Sequence, residues 1–317
     1  MRSLARSPHR IISAVLVVLI AVVLIAILAL STTRSAEAHH KPGHGPGGNP
    51  PPPSGTSAVL VGAGDIATSG SNADSLTGDL IEARPDATAF TLGDNVYPDG
   101  TASQFANVYD PAWGAFKART KPTPGNHDYN TTNASGYKGY FGSLAQPNGT
   151  TYYRFEAGGW QIYALDSQLQ MGTASAQYKW LQGQLASNPD NCVAALWHHP
   201  LASTGEYAPG INKVQAAWRL LQANGGDLVL VGHEHAYERW AEINADRRAD
   251  ASGMRQVVVG TGGVGFRPFT MTPPSALEVR QNNTHGVLQL TLNDTGYSAR
   301  FVPVAGKTWT DSFGGGC

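Results

Sequence analysis

Four apolar runs in this chain each end on a side chain able to bind a metal ion. Ala58–Gly62 leads into Gly64-Asp65, Ala87–Leu92 into Gly93-Asp94, Cys192–Trp197 into His198-His199-Pro200, and Asp227–Val231 into Gly232-His233. Short apolar runs bounded by turn residues read as buried strands of the kind found in parallel sheets. Ligands of open α/β sheets bind outside the carboxyl ends of the strands. Carboxylates and imidazoles far apart in sequence are therefore expected along one sheet edge.

The rest of the pattern agrees. Asn72–Ala83 reads as helix, and helical signal returns near Ala102–Tyr109 and Trp113–Lys117. Ala174–Leu185 is amphipathic, and Asn212–Ala223 reads as a further helix. Thr151–Ala157 and Trp160–Asp166 alternate around Gly158-Gly159 as a hairpin. Gln256–Val259, Gly286–Leu292 and Tyr297–Val302 are later strands. Early βα alternation followed by consecutive strands predicts the α/β class, as a layered sandwich. Residues 58–317 show no internal repeat and suffice for one domain.

The amino-terminal segment differs in kind. Arg2, Arg6 and Arg10 precede an uncharged run, Ile11–Leu30, and Ala36-Glu37-Ala38 has a small-x-small form. Residues 1–38 read as an export signal, and the run is long enough to span a bilayer. Two readings stand: a cleaved signal peptide, and an uncleaved signal anchor that gives a membrane contact through residues 11–30. Both place the rest of the chain outside the cytoplasm, secreted or membrane-anchored. Residues 39–57, rich in Pro and Gly, read as a linker. In an exported chain the two cysteines, Cys192 and Cys317, suggest a disulfide that pins an otherwise flexible arm, Lys307–Cys317.

The 22 Lys plus Arg against 23 Asp plus Glu leave no basic excess for nucleic acid. The histidines are more informative. Six of the ten follow the linker, and five of those six are His127, His198, His199, His233 and His235; only His285 lacks a motif and reads as structural. Together with Asp65, Asp94, Tyr97 and Asn126 they form a set of oxygen and nitrogen donors. Such donors suit iron, zinc or manganese rather than a thiolate-rich structural zinc site. They are too many for one ion, and fit a pair about 3.5–4 Å apart that clamps an in-line displacement. Taken singly, Asp65 and Asp94 also suit turn caps, Asn126 an Asx turn, and Tyr97 core packing.

Gly64-Asp65, Gly93-Asp94-Asn95-Val96-Tyr97, Gly125-Asn126-His127-Asp128, His198-x-Pro200 and Gly232-His233-Glu234-His235 follow one another in the order of the calcineurin-like metallophosphoesterases. The chain resembles that superfamily from about Ala58 to Val304. Tyr97 after the second Asp, and the stretch from His233 to Arg239, are similar to the purple acid phosphatase branch. The resemblance implies an α/β/β/α sandwich with two metal ions. It implies Asp65, Asp94, Tyr97 and His235 around Fe(III), and Asp94, Asn126, His198 and His233 around Fe(II), Zn(II) or Mn(II), with Asp94 bridging. It assigns His127 to the phosphate or leaving group and to proton transfer. His199 is extra to the His-x-Pro pattern; it either supports a ligand or faces the substrate, as a further catalytic candidate.

One departure sharpens the picture. Many relatives carry Asp-x-His in the first motif, whereas this chain has Asp65-Ile66-Ala67. The resemblance to the purple branch implies that Tyr97 can fill that vacancy, and a phenolate stabilises trivalent iron. The chain reads as a compact form without the amino-terminal β domain of plant-type relatives. The implied activity is an exported acid phosphatase that hydrolyses phosphomonoesters by direct attack of a metal-bound hydroxide. A phosphodiesterase or nucleotidase on the same site is the second reading, and a non-catalytic binding protein the third. Asn130–Asn148 and Leu201–Gly210 are expected to wall the site. Gly260 to Gly265 lacks the Lys-Ser/Thr of a P-loop and reads as a turn near the site. Glu238 and Arg239 read as a supporting polar network.

Overall fold

The first of the four runs forms β1 (Ala58–Ala63), whose burial becomes complete toward its carboxyl end. The computed structural model describes residues 57–189, 192–207 and 211–317; the proposed leader (1–38) and nearly all of the linker (39–57) lie outside the described residues. The described residues belong to one compact unit. None of their helices is long and apolar enough to cross a membrane.

After β1, α1 (Ala73–Glu82) returns the chain to β2 (Thr88–Thr91), which lies parallel to β1. Residues 102–119 form an irregular helical stretch with a π-helical turn at Phe105–Tyr109 and a 3-10 turn at Gly114–Arg119. Then follow β3 (Thr120–Lys121), α2 (Ser135–Phe141) and the hairpin of β4 (Tyr153–Ala157) and β5 (Trp160–Ala164). Next in order are α3 (Ala176–Ala186), β6 (Cys192–Leu196), α4 (Ile211–Ala223) and β7 (Gly226–Val231). The chain finishes with β8 (Tyr237–Ile243), β9 (Met254–Val259), β10 (Leu277–Gln281), β11 (Gly286–Asn293), β12 (Gly296–Pro303) and β13 (Ser312–Gly316).

These strands make a six-stranded sheet, β13-β12-β11-β1-β2-β3, and a seven-stranded sheet, β10-β8-β9-β7-β6-β5-β4. Side-chain alternation divides the core. Ala194 and Leu196 of β6 and Leu228 and Leu230 of β7 share one cluster with Leu60 and Phe90 of the other sheet. Their neighbours Val193, Ala195, Val229 and Val231 join Leu181, Leu185, Trp218 and Leu221 of α3 and α4. Both faces of β6 and β7 are thus apolar, which is why their sequences run without alternation. Ile81, Phe105, Tyr109 and Trp113 bring α1 and residues 102–119 onto the six-stranded sheet. The result is the expected α/β/β/α sandwich, with about 1.5–3 kcal/mol for each large apolar side chain fully buried.

Some elements differ from expectation. α3 starts at Ala176 rather than Ala174, because the Ser175 side chain accepts from the Tyr178 backbone and caps the helix there. The carboxyl-terminal tail is not a free arm. β13 pairs antiparallel with β12 from Gly296↔Gly316 to Arg300↔Ser312, and Cys192 is bonded to Cys317.

Candidate metal centre

The chain leaves β1, β2 and β7 through sharp turns. Asp65 (φ 58°), Asp94 (φ 49°) and His233 (φ 73°) all take left-handed backbone, which is uncommon outside glycine. Non-glycine residues held there cost of order 1–3 kcal/mol each and cluster at functional sites. The turns bring the two sheets into contact, with the His233 amide donating to Asp65 Oδ2 at 2.8 Å. Gly125 supplies room at the centre, since a Cβ there would lie 2.2 Å from Asp94 Oδ1.

Two groups of donor atoms result, joined at one oxygen. In the first, Tyr97 Oη lies 2.8 Å from Asp65 Oδ1, 2.9 Å from Asp94 Oδ2 and 3.1 Å from His235 Nε2. In the second, His198 Nε2 lies 3.2 Å from Asp94 Oδ2, 3.0 Å from Asn126 Oδ1 and 3.2 Å from His233 Nδ1. His233 Nδ1 is also 3.0 Å from Asn126 Oδ1. Asp94 Oδ2 belongs to both groups. All seven residues singled out as metal ligands are therefore brought together.

The second-side hydrogen bonds fix what these atoms can do. His198 Nδ1 lies 2.8 Å from Leu92 O and His235 Nδ1 2.9 Å from Gly265 O. A carbonyl only accepts, so each Nδ1 carries the hydrogen, and in the neutral ring Nε2 presents a lone pair. Once the proton that Asp94 keeps on His198 and the Tyr97 phenol proton are removed, lone pairs of the imidazoles, an amide oxygen and two carboxylates face one another. A cation resolves that arrangement, and backbone carbonyls behind the rings are the usual support for metal-binding His. Asp94, His198 and His233 alone offer donor atoms all within 4.8 Å of one another.

The metal-free electrostatics are correspondingly frustrated. Burial pushes the Asp65 carboxyl up, and pushes Asp128, beside Asp94, up to about 7. Burial opposes charge on Asp94 as well, but His198 and His127 outweigh it and hold that carboxyl below its usual range. His198 is raised to about 9, because Asp94 outweighs the cost of burial. His233 is lowered to about 3 by burial and the His198 charge. Burial and the two carboxylates hold the Tyr97 phenol well above its ordinary value.

Residues 58–237 match the calcineurin-like phosphoesterase family. The chain belongs to that family. It is 29% identical over 213 residues to purple acid phosphatase 22 of Arabidopsis thaliana, covering 59% of this chain and 49% of that protein. It is 28% identical over 247 residues to purple acid phosphatase 15 of the same plant, covering 67% and 46% respectively. The chain thus spans about half the length of these relatives. Among solved structures, the purple acid phosphatase PPD1 of yellow lupin (Lupinus luteus) shares the fold with a TM-score of 0.68 at 18% identity, over 84% of this chain and 55% of that one. GAP50 of Plasmodium shares it with a TM-score of 0.62 at 16% identity, over 81% and 88%.

The rim of this calcineurin-like phosphoesterase carries the remaining candidates. The His127 amide donates to Asp94 Oδ1 at 2.7 Å, and its ring Nδ1 lies 2.5 Å from Pro98 O. Its Nε2 is 4.0 Å from Asp94 Oδ2, and the side chain is 30% exposed, so it faces both the donor cluster and solvent. His199 stands behind the cluster, its ring 4.5 Å from that of His233. Its Nδ1 lies 2.8 Å from Ser167 Oγ, and burial and the neighbouring cationic groups hold its pKa down. Gly260 to Gly265 is the floor, with the Val264 amide donating to Asp65 O and Gly265 O receiving His235. His285 packs on Phe266 at 4.2 Å. Glu238 accepts from Thr204, and Arg239 pairs with Asp311.

Sequence reasoning named neither Tyr207, Ser167, Gln168 nor Lys213. Tyr207 lies 5.2 Å from the His233 ring, within the expected wall Leu201–Gly210, whose last residues 208–210 are outside the described ones. From the other expected wall, Asn133, Lys138 and Gln146 line a cavity of about 500 Å³ with Tyr129 and Leu169.

Proposed function

We propose that this metallophosphoesterase is an exported acid phosphatase that hydrolyses phosphomonoesters with two metal ions. The observation that carries the reading is the pair of donor groups sharing Asp94 Oδ2. Asp65, Asp94, Tyr97 and His235 would hold Fe(III); Asp94, Asn126, His198 and His233 would hold Fe(II), Zn(II) or Mn(II). The absent first-motif His and the inward phenol of Tyr97 favour iron at the first position. Export rests on the apolar segment at residues 11–30 and its arginine flank.

When bound, such a metal pair supplies Lewis acidity and lowers the pKa of water. The protein's own groups do the rest. Asp94 fixes the His127 backbone, and Pro98 O fixes its ring, so Nε2 is directed at the mouth of the cluster. From there His127, in its imidazolium form, gives the Nε2 proton to the departing alcohol oxygen as its P–O bond breaks and water oxygen joins phosphorus, and the proton that water loses then restores the imidazolium or passes to solvent. Asn126 and the backbone-anchored rings of His198 and His235 keep the donor geometry fixed before substrate arrives.

The test is metal content and turnover together. The full chain is expected to bind two metal ions and to hydrolyse p-nitrophenyl phosphate, and Asp94→Asn to lose both. Near-normal turnover and metal content in Asp94→Ala would refute the site.

A further inference from the structure

Two of the three imidazoles in the donor cluster are held from behind by backbone carbonyls, His198 by Leu92 O and His235 by Gly265 O. The third is not. His233 turns Nδ1 inward, to Asn126 Oδ1 at 3.0 Å and His198 Nε2 at 3.2 Å, and among the described residues nothing hydrogen-bonds its Nε2. A metal-ligating imidazole is ordinarily oriented through that second nitrogen. His233 has ring contact in place of it: the His199 ring stands 4.5 Å away, tilted by 43°. We propose that His199, pinned by Ser167, Gln168 and Lys213, is a positioning residue that orients His233 and so sets the affinity of the ion held by His198 and His233. The proposal rests on the two-metal reading of the centre.

His199 can do this because it is fixed at both of its own nitrogens. Lys213 Nζ and Gln168 Nε2 are donors, each 3.4 Å from His199 Nε2, so that atom accepts. The ring hydrogen is then on Nδ1, which donates to Ser167 Oγ at 2.8 Å. The same oxygen accepts from the His199 amide at 3.1 Å, and Gln168 Oε1 accepts from Lys213 Nζ at 3.5 Å. An imidazole bonded at both ends cannot turn about its side-chain bonds without breaking one of them. Its face is therefore a fixed wall for its neighbour. His199 is 5% exposed and Ser167 is fully buried, so little water competes for these bonds, and the ring acts on His233 rather than on a substrate. The contact does for His233 what Leu92 O and Gly265 O do for the other two rings.

Titration of the metal-free full chain with Zn(II) tests this, with heat counting both ions and the tyrosinate ultraviolet band reporting the one on Tyr97. In His199→Ala the ion not seen through Tyr97 is expected to bind at least about tenfold more weakly. Ser167→Ala, which frees the ring at Nδ1, should weaken the same ion about fivefold. The ion on Tyr97 should stay within about twofold of the wild type. General loosening would weaken both ions together, because both donor groups share Asp94 Oδ2. Equal weakening of the two, or a second ion within about twofold of the wild type in both variants, would overturn the proposal. Without metal, nitrogen NMR spectra of the histidines should place the His199 hydrogen on Nδ1 and show the His233 ring resonances moving in Ser167→Ala. A hydrogen on Nε2, or a His233 ring that does not respond, would overturn it as well. A wild type that takes up one ion while the His233 ring still responds would sink the two-metal reading and leave His199 as the group that orients His233.

Discussion

The Nε2 of His198 and the Nδ1 of His233 lie 3.2 Å apart, both against Asn126 Oδ1. In the metal-free protein Asp94 keeps a proton on His198, whose pKa reaches about 9, and that charge helps hold His233 down at about 3. A cation entering between them must displace the His198 proton. Metal uptake near neutral pH should therefore release a proton, and apparent affinity should fall about tenfold per pH unit below 9. Calorimetry in buffers of different ionisation enthalpy measures this; uptake independent of pH would contradict it. Metal-free stability should show the opposite dependence. The His198–Asp94 pair contributes fully below the ordinary imidazole value of 6.5, and its contribution is lost as pH rises through about 9.

Tyr97 adds a second proton to the count. Its phenol is held well above its ordinary value without metal, so ligation to iron must strip it. The wild type should show a tyrosinate-to-iron absorption band in the visible. Tyr97→Phe should lose the band and release one proton fewer on metal uptake. An active, metal-replete wild type without colour would sink the iron assignment and leave the phosphoesterase reading intact.

Glycine substitutions separate the site from the scaffold. Gly125→Ala would place a Cβ 2.2 Å from Asp94 Oδ1 and 2.3 Å from its amide nitrogen. Metal content and turnover should fall by about 100-fold or more, because Asp94 is the oxygen common to both donor groups. Gly183, inside α3, has open space where a methyl group would sit, with nothing within 4 Å. Gly183→Ala should raise stability by about 0.5–1 kcal/mol in urea unfolding with no effect on metal binding.

The Cys192–Cys317 bridge closes a separation of 125 residues. Reducing it, or Cys317→Ser, should cost about 2–5 kcal/mol and speed amide exchange in β13 before β11. The metal centre should keep its ions, since no candidate ligand lies in β12 or β13. Unchanged exchange in β13 would show that its pairing with β12 holds the tail unaided.

What could be read from the sequence was set by locality. β6 and β7 announce themselves because both their faces are apolar, and the ligands sit in short motifs just beyond strand ends. β8 is different: Tyr-Glu-Arg-Trp-Ala-Glu-Ile carries Glu238, Arg239 and Glu242 inside a strand. Their partners are Thr204, Asp311 and Arg255, none of them local, so tertiary contacts override a sequence that does not look like a strand. β13, Ser-Phe-Gly-Gly-Gly, has little strand propensity and exists because β12 offers an edge. Ser167, Gln168 and Lys213 meet His199 only through the fold, and no spacing in the chain could have joined them.

The same bridge orders events during synthesis. Cys192 begins β6, the strand that leads to His198, and Cys317 follows β13 on the other sheet. The bridge therefore fastens the two layers of the sandwich to each other at residues made far apart in time. Until residue 317 has been made, Cys192 has no partner within its own chain, because the sequence contains only these two cysteines. If Cys192 is oxidised before residue 317 is made, it finds no partner among the residues preceding it, so closure of this one bond marks a chain that has brought both sheets together.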